Sequence, residues 1–574
     1  MKMGKYISKN KWDIIWGTLV KSIETLGDIV VPLIMANIID IGIANKSIKY
    51  IVVWSIIMLV IQIIGFVASI ACQWLAARAG QRVGYSIRYD LYKHINTFSH
   101  KELDKFGTST LINRFSNDIT RIDNGLEVFI RQALRAPLIL IGSSIMMFTI
   151  APKLGLIFLA IVPVITLIVA LIMVKSNKLF EKVQKDLDTV SLYSKENLEG
   201  AKVVRAFNKE ENEKSRFFKA SNKLYKSQNS VTNITALLNP LTLAIVYIGV
   251  ILILWFGGIE VNVGNLTQGK IIATISYLMQ IGMSLVMVAR MISVFIRAFT
   301  SSKRIQEIFN AKPSVVPKVN KFIPVEIGED TPKIEFKNVS FRYGTENKSK
   351  NAIENLNLKV MKGQTIGIIG GTGSGKSTII NLIPRYYDAT EGEVLVDGKN
   401  VKEYSFEQLR GQIGIVPQKA VLFRGTIDQN MRWRKPDATA NEIHKALQLS
   451  QSLEFVEEFP DKTSHVITTG GANVSGGQRQ RLTIARALVG DPEILILDDS
   501  ASALDFATDA KLRKAIKYGI KNSTIFIVTQ RVTSIKDADL IVCIDKGNVV
   551  GMGKHNELLN NCEVYKEIYE SQTK

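Results

Sequence analysis

Cysteine is scarce in this chain. The three in 574 residues, Cys72, Cys543 and Cys562, are too few and too scattered for a disulfide framework or a cysteine-rich metal site. That usage fits a reducing compartment. Disorder and collagen-like repeats are excluded by an apolar content of 47%, and no short-period repeat or low-complexity tract is evident. Basic residues outnumber acidic ones, 72 to 52, yet no nucleic-acid motif accompanies the excess. The first apolar run lacks the cleavage layout of a signal peptide and carries Lys21, Glu24 and Asp28, so it is expected to be retained. The length exceeds what one compact core fills, and at least two regions are expected.

Long apolar runs are plentiful. They lie near residues 13–41, 48–77, 126–150, 154–175, 236–257 and 269–296, each at or above the roughly 20 residues that cross a bilayer as a helix. Residues 78–125 and 175–235 between them hold 21 Lys and Arg, whereas the short loops on the other side contribute only Lys46, Lys49, Lys153 and Lys270. Basic residues flanking spans stay inside, so the long loops and both termini are expected in the cytoplasm of a multi-pass protein of the cytoplasmic membrane. Both long loops keep a helical apolar rhythm, as in Ser191 to Phe218, which predicts spans continuing inward as stalks. Residues 311–332, with Pro313, Pro317, Pro324 and Pro332, read as a linker between a transmembrane domain over 1–310 and a second domain over 333–574.

The second domain alternates β-rich apolar runs with helical segments, an α/β pattern. Its strand Thr365 to Ile369 runs into Gly370-Gly371-Thr372-Gly373-Ser374-Gly375-Lys376-Ser377 and then a helical stretch from Thr378. This is a P-loop in its strand-loop-helix setting. Backbone N–H groups and the helix N-terminus face phosphate oxygens, Lys376 supplies charge, and the Ser377 hydroxyl suits Mg2+. Strand Ile494 to Leu497 delivers Asp498, a second magnesium-holding oxygen. Val474-Ser475-Gly476-Gly477-Gln478 opens another helix and forms a second anion cradle, one more than a single nucleotide site needs. A nucleotide-binding partner is implied.

In that order the motifs resemble an ATP-binding cassette (ABC) domain, and six spans ahead of them resemble an ABC exporter half-transporter. The fold so implied is an all-α six-helix transmembrane domain with cytoplasmic helical extensions, followed by an α/β P-loop nucleotide-binding domain. Tyr343 in Phe341-Arg342-Tyr343-Gly344 matches the aromatic that stacks on adenine, Gln418 in Val416-Pro417-Gln418 matches the Q-loop, and Ser502-Ala503-Leu504-Asp505 matches the D-loop. The stretches Phe106 to Leu111 and Glu199 to Phe207 resemble those around the family's two coupling helices. The resemblance implies ATP and Mg2+, a transport ATPase, and a head-to-tail dimer in which the signature Val474 to Gln478 serves the partner's ATP.

Two departures stand out. The family places a water-polarising glutamate after the magnesium aspartate, where this chain has the shorter Asp499. At the switch-histidine position it has Gln530, which can donate a hydrogen bond but not carry a proton. Both belong to the composite site of Lys376, whereas the signature is intact apart from Val474, where leucine is commoner. The chain is therefore expected to be the degenerate-site half of a heterodimeric exporter of hydrophobic or amphipathic compounds. Its partner would be a paralogue with the consensus glutamate and histidine. A lipid or peptide exporter shares the architecture, and an ATP-gated channel or sensor is a reading of another class.

Substrate clues are thin. Met279, Met283, Met287 and Met291 recur every fourth residue, a spacing that suits either an adaptable ligand stripe or ordinary helix packing. Asp28, one turn from Glu24, is a candidate cation site within the membrane, and Arg290 a candidate substrate contact; the two acidic residues could equally be counter-ions to Arg131, Arg135 or Arg290, or sit in a helix extension beyond the bilayer.

Overall fold

The computed structural model describes residues 4–317, 328, 330–344, 350–500, 504–520 and 522–573, so part of the 311–332 linker lies outside the described residues. The chain forms two compact units. One comprises Met1–Asn96 with Thr108–Ala311, the other Thr97–Gly107 with Lys312–Lys574. This departs from a single cut at residue 310, because an eleven-residue excursion of the N-terminal region belongs to the C-terminal unit.

Among the described residues of the first unit, six helices are long and apolar enough to cross a membrane: Lys11–Ile43, Ile48–Ile95, Thr108–Ile150, Pro152–Glu199, Glu210–Asn262 and Gln268–Asn310. At 1.5 Å per residue, the 48-residue helices Ile48–Ile95 and Pro152–Glu199 are about 70 Å long. A bilayer core of roughly 30 Å accounts for less than half of that, as expected for spans that continue as stalks. Side chains sort by size rather than polarity. Along Ile48–Ile95 the buried positions up to Gly80 are small, Gly65, Ala68, Cys72, Ala76, Ala79 and Gly80, while Ile56, Leu59, Ile63 and Phe66 are exposed; larger buried residues, Val83, Ile87 and Leu91, follow toward the stalk. Small residues let helices approach closely, and large apolar ones meet lipid. Cys72 is thus a packing residue.

The second unit is built on a six-stranded sheet in the order β12-β11-β3-β10-β9-β6 and a four-stranded antiparallel sheet in the order β2-β1-β4-β5. The first comprises β3 (Thr365–Gly370), β6 (Ile413–Val416), β9 (Ile494–Asp498), β10 (Thr524–Val528), β11 (Leu540–Asp545) and β12 (Asn548–Gly553). The second comprises β1 (Ile334–Phe341), β2 (Ile353–Val360), β4 (Glu391–Val396) and β5 (Lys399–Asn400), and a short antiparallel pair joins β7 (Gly425–Thr426) to β8 (Val466–Ile467). Pairing is parallel through β11, β3, β10, β9 and β6, with β12 antiparallel at one edge. Strand β9 is buried throughout, so its near-continuous aliphatic run is what a covered parallel strand requires. Register does the functional work: Val528 pairs with both Ile368 and Asp498, so the loops after β3, β9 and β10 emerge together at the strands' carboxyl ends.

Segment 97–107 joins this unit through aromatic contacts. His100 stacks on Tyr386 at 4.2 Å between ring centroids, and the Tyr387 hydroxyl donates to Asp104 at 2.7 Å. Glu102 is buried against Ser99 and accepts from the Ser314 backbone N–H at 3.2 Å.

Candidate functional site

The P-loop bends where only glycine fits. Gly373 and Gly375 have φ of 77° and 107°, and a Cβ on Gly375 would sit 2.5 Å from the Ala352 carbonyl oxygen. Lys376 begins the helix Lys376–Leu382, and its ammonium donates to the Gly370 and Gly371 carbonyls at 2.9 and 2.7 Å. Ser374 Oγ is buried without a hydrogen-bond partner among the described residues. An orphaned hydroxyl inside a glycine cradle is the feature a phosphate oxygen would satisfy.

Ser377 Oγ donates to Asp498 Oδ1 at 3.1 Å, which brings together a hydroxyl from the first turn of the P-loop helix and a carboxylate from the end of β9. These hard oxygen donors fit Mg2+, which would supply charge neutralisation at the phosphates. Burial raises the Asp498 pKa, with the Asp499 charge adding to the rise while Ser377 and Lys376 oppose it. Burial likewise lowers the Lys376 pKa, against the pull of Asp499 and Asp498. Asp499 therefore shares one electrostatic site with Lys376 and Asp498. Its backbone lies in the left-handed region at φ 47°, and its N–H donates to the Val528 carbonyl at 2.8 Å. The carboxylate is hung from a clamped backbone.

Tyr343 is partly exposed and stands edge-on to Phe341 and Tyr387, at 4.9 and 5.3 Å between centroids. Its hydroxyl shares a hydrogen bond with Thr378 at 3.1 Å, so the ring is held over the P-loop helix. Tyr387 was not apparent from the sequence as part of this cluster. The only signal was the aromatic pair Tyr386-Tyr387 shortly after that helix. Gln418 and Gln530 are exposed. The Gln530 turn follows β10, beside the P-loop strand.

Ser475 caps the helix Gly476–Leu488 through a reciprocal pair, with Gln478 N–H to Ser475 Oγ at 3.2 Å and Ser475 N–H to Gln478 Oε1 at 2.9 Å. Gly476 and Gly477 then leave the helix start open. Val474 is buried in a core with Leu422, Ile467 and Leu482, so its side chain packs rather than facing a nucleotide. Leu504 is buried and Asp505 caps the helix Phe506–Gly519 by accepting from Thr508 N–H at 2.9 Å, while Ser502 and Ala503 lie outside the described residues.

In the first unit, Met279, Met283, Met287 and Arg290 line one cavity of about 460 Å³ together with Gln132 and Asn239. Those last two were not among the expected residues; the one available signal was a polar residue inside an apolar run. Asp28 is not among the lining residues. It accepts from Arg135 at 3.2 Å, and Glu24 pairs with Lys21 at 2.6 Å. Arg290 makes no ion pair among the described residues.

The family description "ABC transporter transmembrane region" matches residues 14–285 and "ABC transporter" matches residues 353–502. An "Uncharacterized ABC transporter ATP-binding protein YfiB" of Bacillus subtilis is 35% identical over 96% of this chain and 94% of its own. The chain belongs to the ABC transporter family. An "ATP-dependent lipid A-core flippase" of Desulfotalea psychrophila is 33% identical to this ABC exporter over 86% of the chain and 85% of the flippase. A solved "bacterial Atm1-family ABC exporter with ATP bound" superposes with a TM-score of 0.81, covers 99% of this chain and 100% of that one, and at 22% identity shows a shared fold. The chain is a transport ATPase, with a helical membrane domain and an ABC nucleotide-binding domain.

Proposed function

We propose that this exporter works as one half of a heterodimer in the cytoplasmic membrane and carries the slowly hydrolysing ATP site. The supporting observation is the Asp499 backbone, tied to Val528 at 2.8 Å, so that a side chain one methylene short has no slack with which to reach a water. ATP and Mg2+ would bind at Tyr343, the P-loop from Gly370 to Thr378 and Asp498, closed by a partner's signature. This chain's Ser475 to Gln478 would complete the partner's faster site. The termini and nucleotide-binding domain would lie in the cytoplasm, as the basic stalk regions favour.

The cargo is an amphipathic small molecule bound along Met279, Met283 and Met287. Flexible thioethers adapt to varied apolar shapes. A lipid with an anionic head group is the second reading, favoured by Arg290 in the same cavity, which has no ion-pair partner among the described residues. The test is ATP turnover of this chain alone and with candidate paralogues, in proteoliposomes given either drugs or acidic lipids. Vigorous hydrolysis by the chain alone refutes the asymmetric scheme, and uptake against a gradient separates a pump from a channel.

A further inference from the structure

The turn that carries Gln530 is held from an unexpected direction. Val532 is buried at 1% exposure, and its N–H finds no strand or helix partner. It donates instead to Gln572 Oε1 at 2.9 Å, while Gln572 Nε2 donates to the Gln530 carbonyl at 2.6 Å. One side-chain amide therefore pins both ends of the peptide stretch 530–532. Gln572 sits on the helix Glu563–Thr573, some forty residues downstream.

That helix is itself tied to the nucleotide site. Tyr565, fully buried, packs in a core with Ile369, Val532, Ile535, Cys543 and Cys562. Ile369 is the penultimate residue of β3, immediately before the P-loop glycines. The helix thus rests on the P-loop strand at one place and grips the switch turn at another. Two further anchors complete the turn: Thr529 N–H to the Ile368 carbonyl at 3.1 Å, and the Arg531 guanidinium 5.0 Å from the Phe506 ring. Phe506 directly follows Asp505, so the second anchor leads to the D-loop. The Gln572 pair comes from an exposed side chain. It can be released without opening the core.

We infer that Gln572 is a positioning residue: it sets the height of the Gln530 amide and thereby this site's ability to distinguish ATP from ADP. The inference rests on the proposed reading of Gln530 as the switch residue, whose amide would read a γ-phosphate, whereas the P-loop cradle would read the phosphates that both nucleotides share. Loosening the turn should weaken ATP and leave ADP alone. A displacement of the last helix by any bound factor would have the same effect.

The experiment is azido-ATP photolabelling of this chain in the assembled, full-length transporter, competed by ATP or by ADP. Gln572→Ala and Gln572→Met are expected to weaken ATP competition about threefold to tenfold, the worth of one or two net hydrogen bonds, with ADP competition unchanged. Because the residue acts through Gln530, the double variant Gln572→Ala/Gln530→Ala should lose no more than Gln530→Ala alone. Amide exchange at Val532 should speed up in both Gln572 variants. An unchanged ATP-to-ADP ratio in Gln572→Ala overturns the inference, as does full retention in Gln572→Met, which would make the contact one of packing. So does ADP affinity falling in step with ATP affinity. An unchanged ratio in Gln530→Ala overturns the switch assignment as well, and so separates the two failures.

Discussion

Asp499→Glu is the substitution that bears most directly on the asymmetric scheme. The Asp499 backbone is fixed by its hydrogen bond to Val528 and by the register that pairs Val528 with Asp498, so the added methylene must go into reach. It advances the carboxylate by about 1.5 Å, one carbon–carbon bond. A misplacement of about 1 Å can cost roughly a hundredfold in rate, which corresponds to about 2.7 kcal/mol of barrier. Restoring reach should therefore raise turnover at this site by about tenfold to a hundredfold, the lower figure applying if Gln530 also limits. The assay is single-turnover hydrolysis in a heterodimer whose partner glutamate is changed to glutamine, so that only this site contributes. No gain in Asp499→Glu, together with a gain in Gln530→His, would refute the claim that carboxylate reach is limiting. A high rate in the unmodified chain would refute the degenerate-site scheme itself.

Two further outcomes test the nucleotide-binding unit. Lys333 is buried, with its ammonium 2.8 Å from Asp397, 2.9 Å from Gln412 and 2.5 Å from Glu493. Lys333→Met strands the buried Asp397 while Glu493 keeps its water, so thermal unfolding should show a loss of about 3–5 kcal/mol, partly recovered by adding Asp397→Asn, which removes the stranded charge and suits the left-handed backbone there at φ 49°. Burial lowers the pKa of His100, with the nearby Arg410 charge acting in the same sense and Asp104 opposing. The neutral ring is thus the docked form. As pH falls below about 6.5 the undocked imidazole takes up a proton that the docked one resists, so docking weakens with acidification. Amide protection factors in residues 97–107, with the intrinsic pH dependence of exchange divided out, should fall from pH 7.5 toward about 5.5, and His100→Phe, which keeps the ring on Tyr386, should flatten that dependence. An unaltered profile would exclude His100 as the cause.

The ATP site was legible because its chemistry is contiguous. A cradle that wraps phosphate must be written as consecutive glycines ahead of a helix, and a carboxylate at a strand end follows an uninterrupted aliphatic run. The six spans were legible for a similar reason, since a bilayer imposes length and composition on each segment separately. What the sequence could not display is pairing across distance. Tyr387 and Tyr343 lie 44 positions apart and meet only because the stretch after the P-loop helix folds back beside β1. Gln572 meets the switch turn only because its helix seats on β3. Residues 97–107 carry no composition that marks them as belonging to the ATP-binding unit, and their membership rests on a histidine and an aspartate finding two tyrosines.

The same limit explains the two departures. Asp499 and Gln530 are 31 positions apart, and either alone reads as an ordinary substitution. The sheet order β3-β10-β9 turns them into one observation, because it sets the ends of those three strands side by side. On the proposed reading, a site that keeps its lysine, its magnesium oxygens and its adenine platform, yet shortens the carboxylate and exchanges the imidazole at adjacent strand ends, would retain affinity while losing rate. Such a site would hold ATP longer than it hydrolyses it. In a transporter with a second, faster site, that is the behaviour of a tether, which keeps the two nucleotide-binding domains in register between turnovers. The Asp499→Glu heterodimer should then hydrolyse faster at this site and also separate its domains more often, an outcome that distance measurements between spin labels on the two nucleotide-binding domains would register.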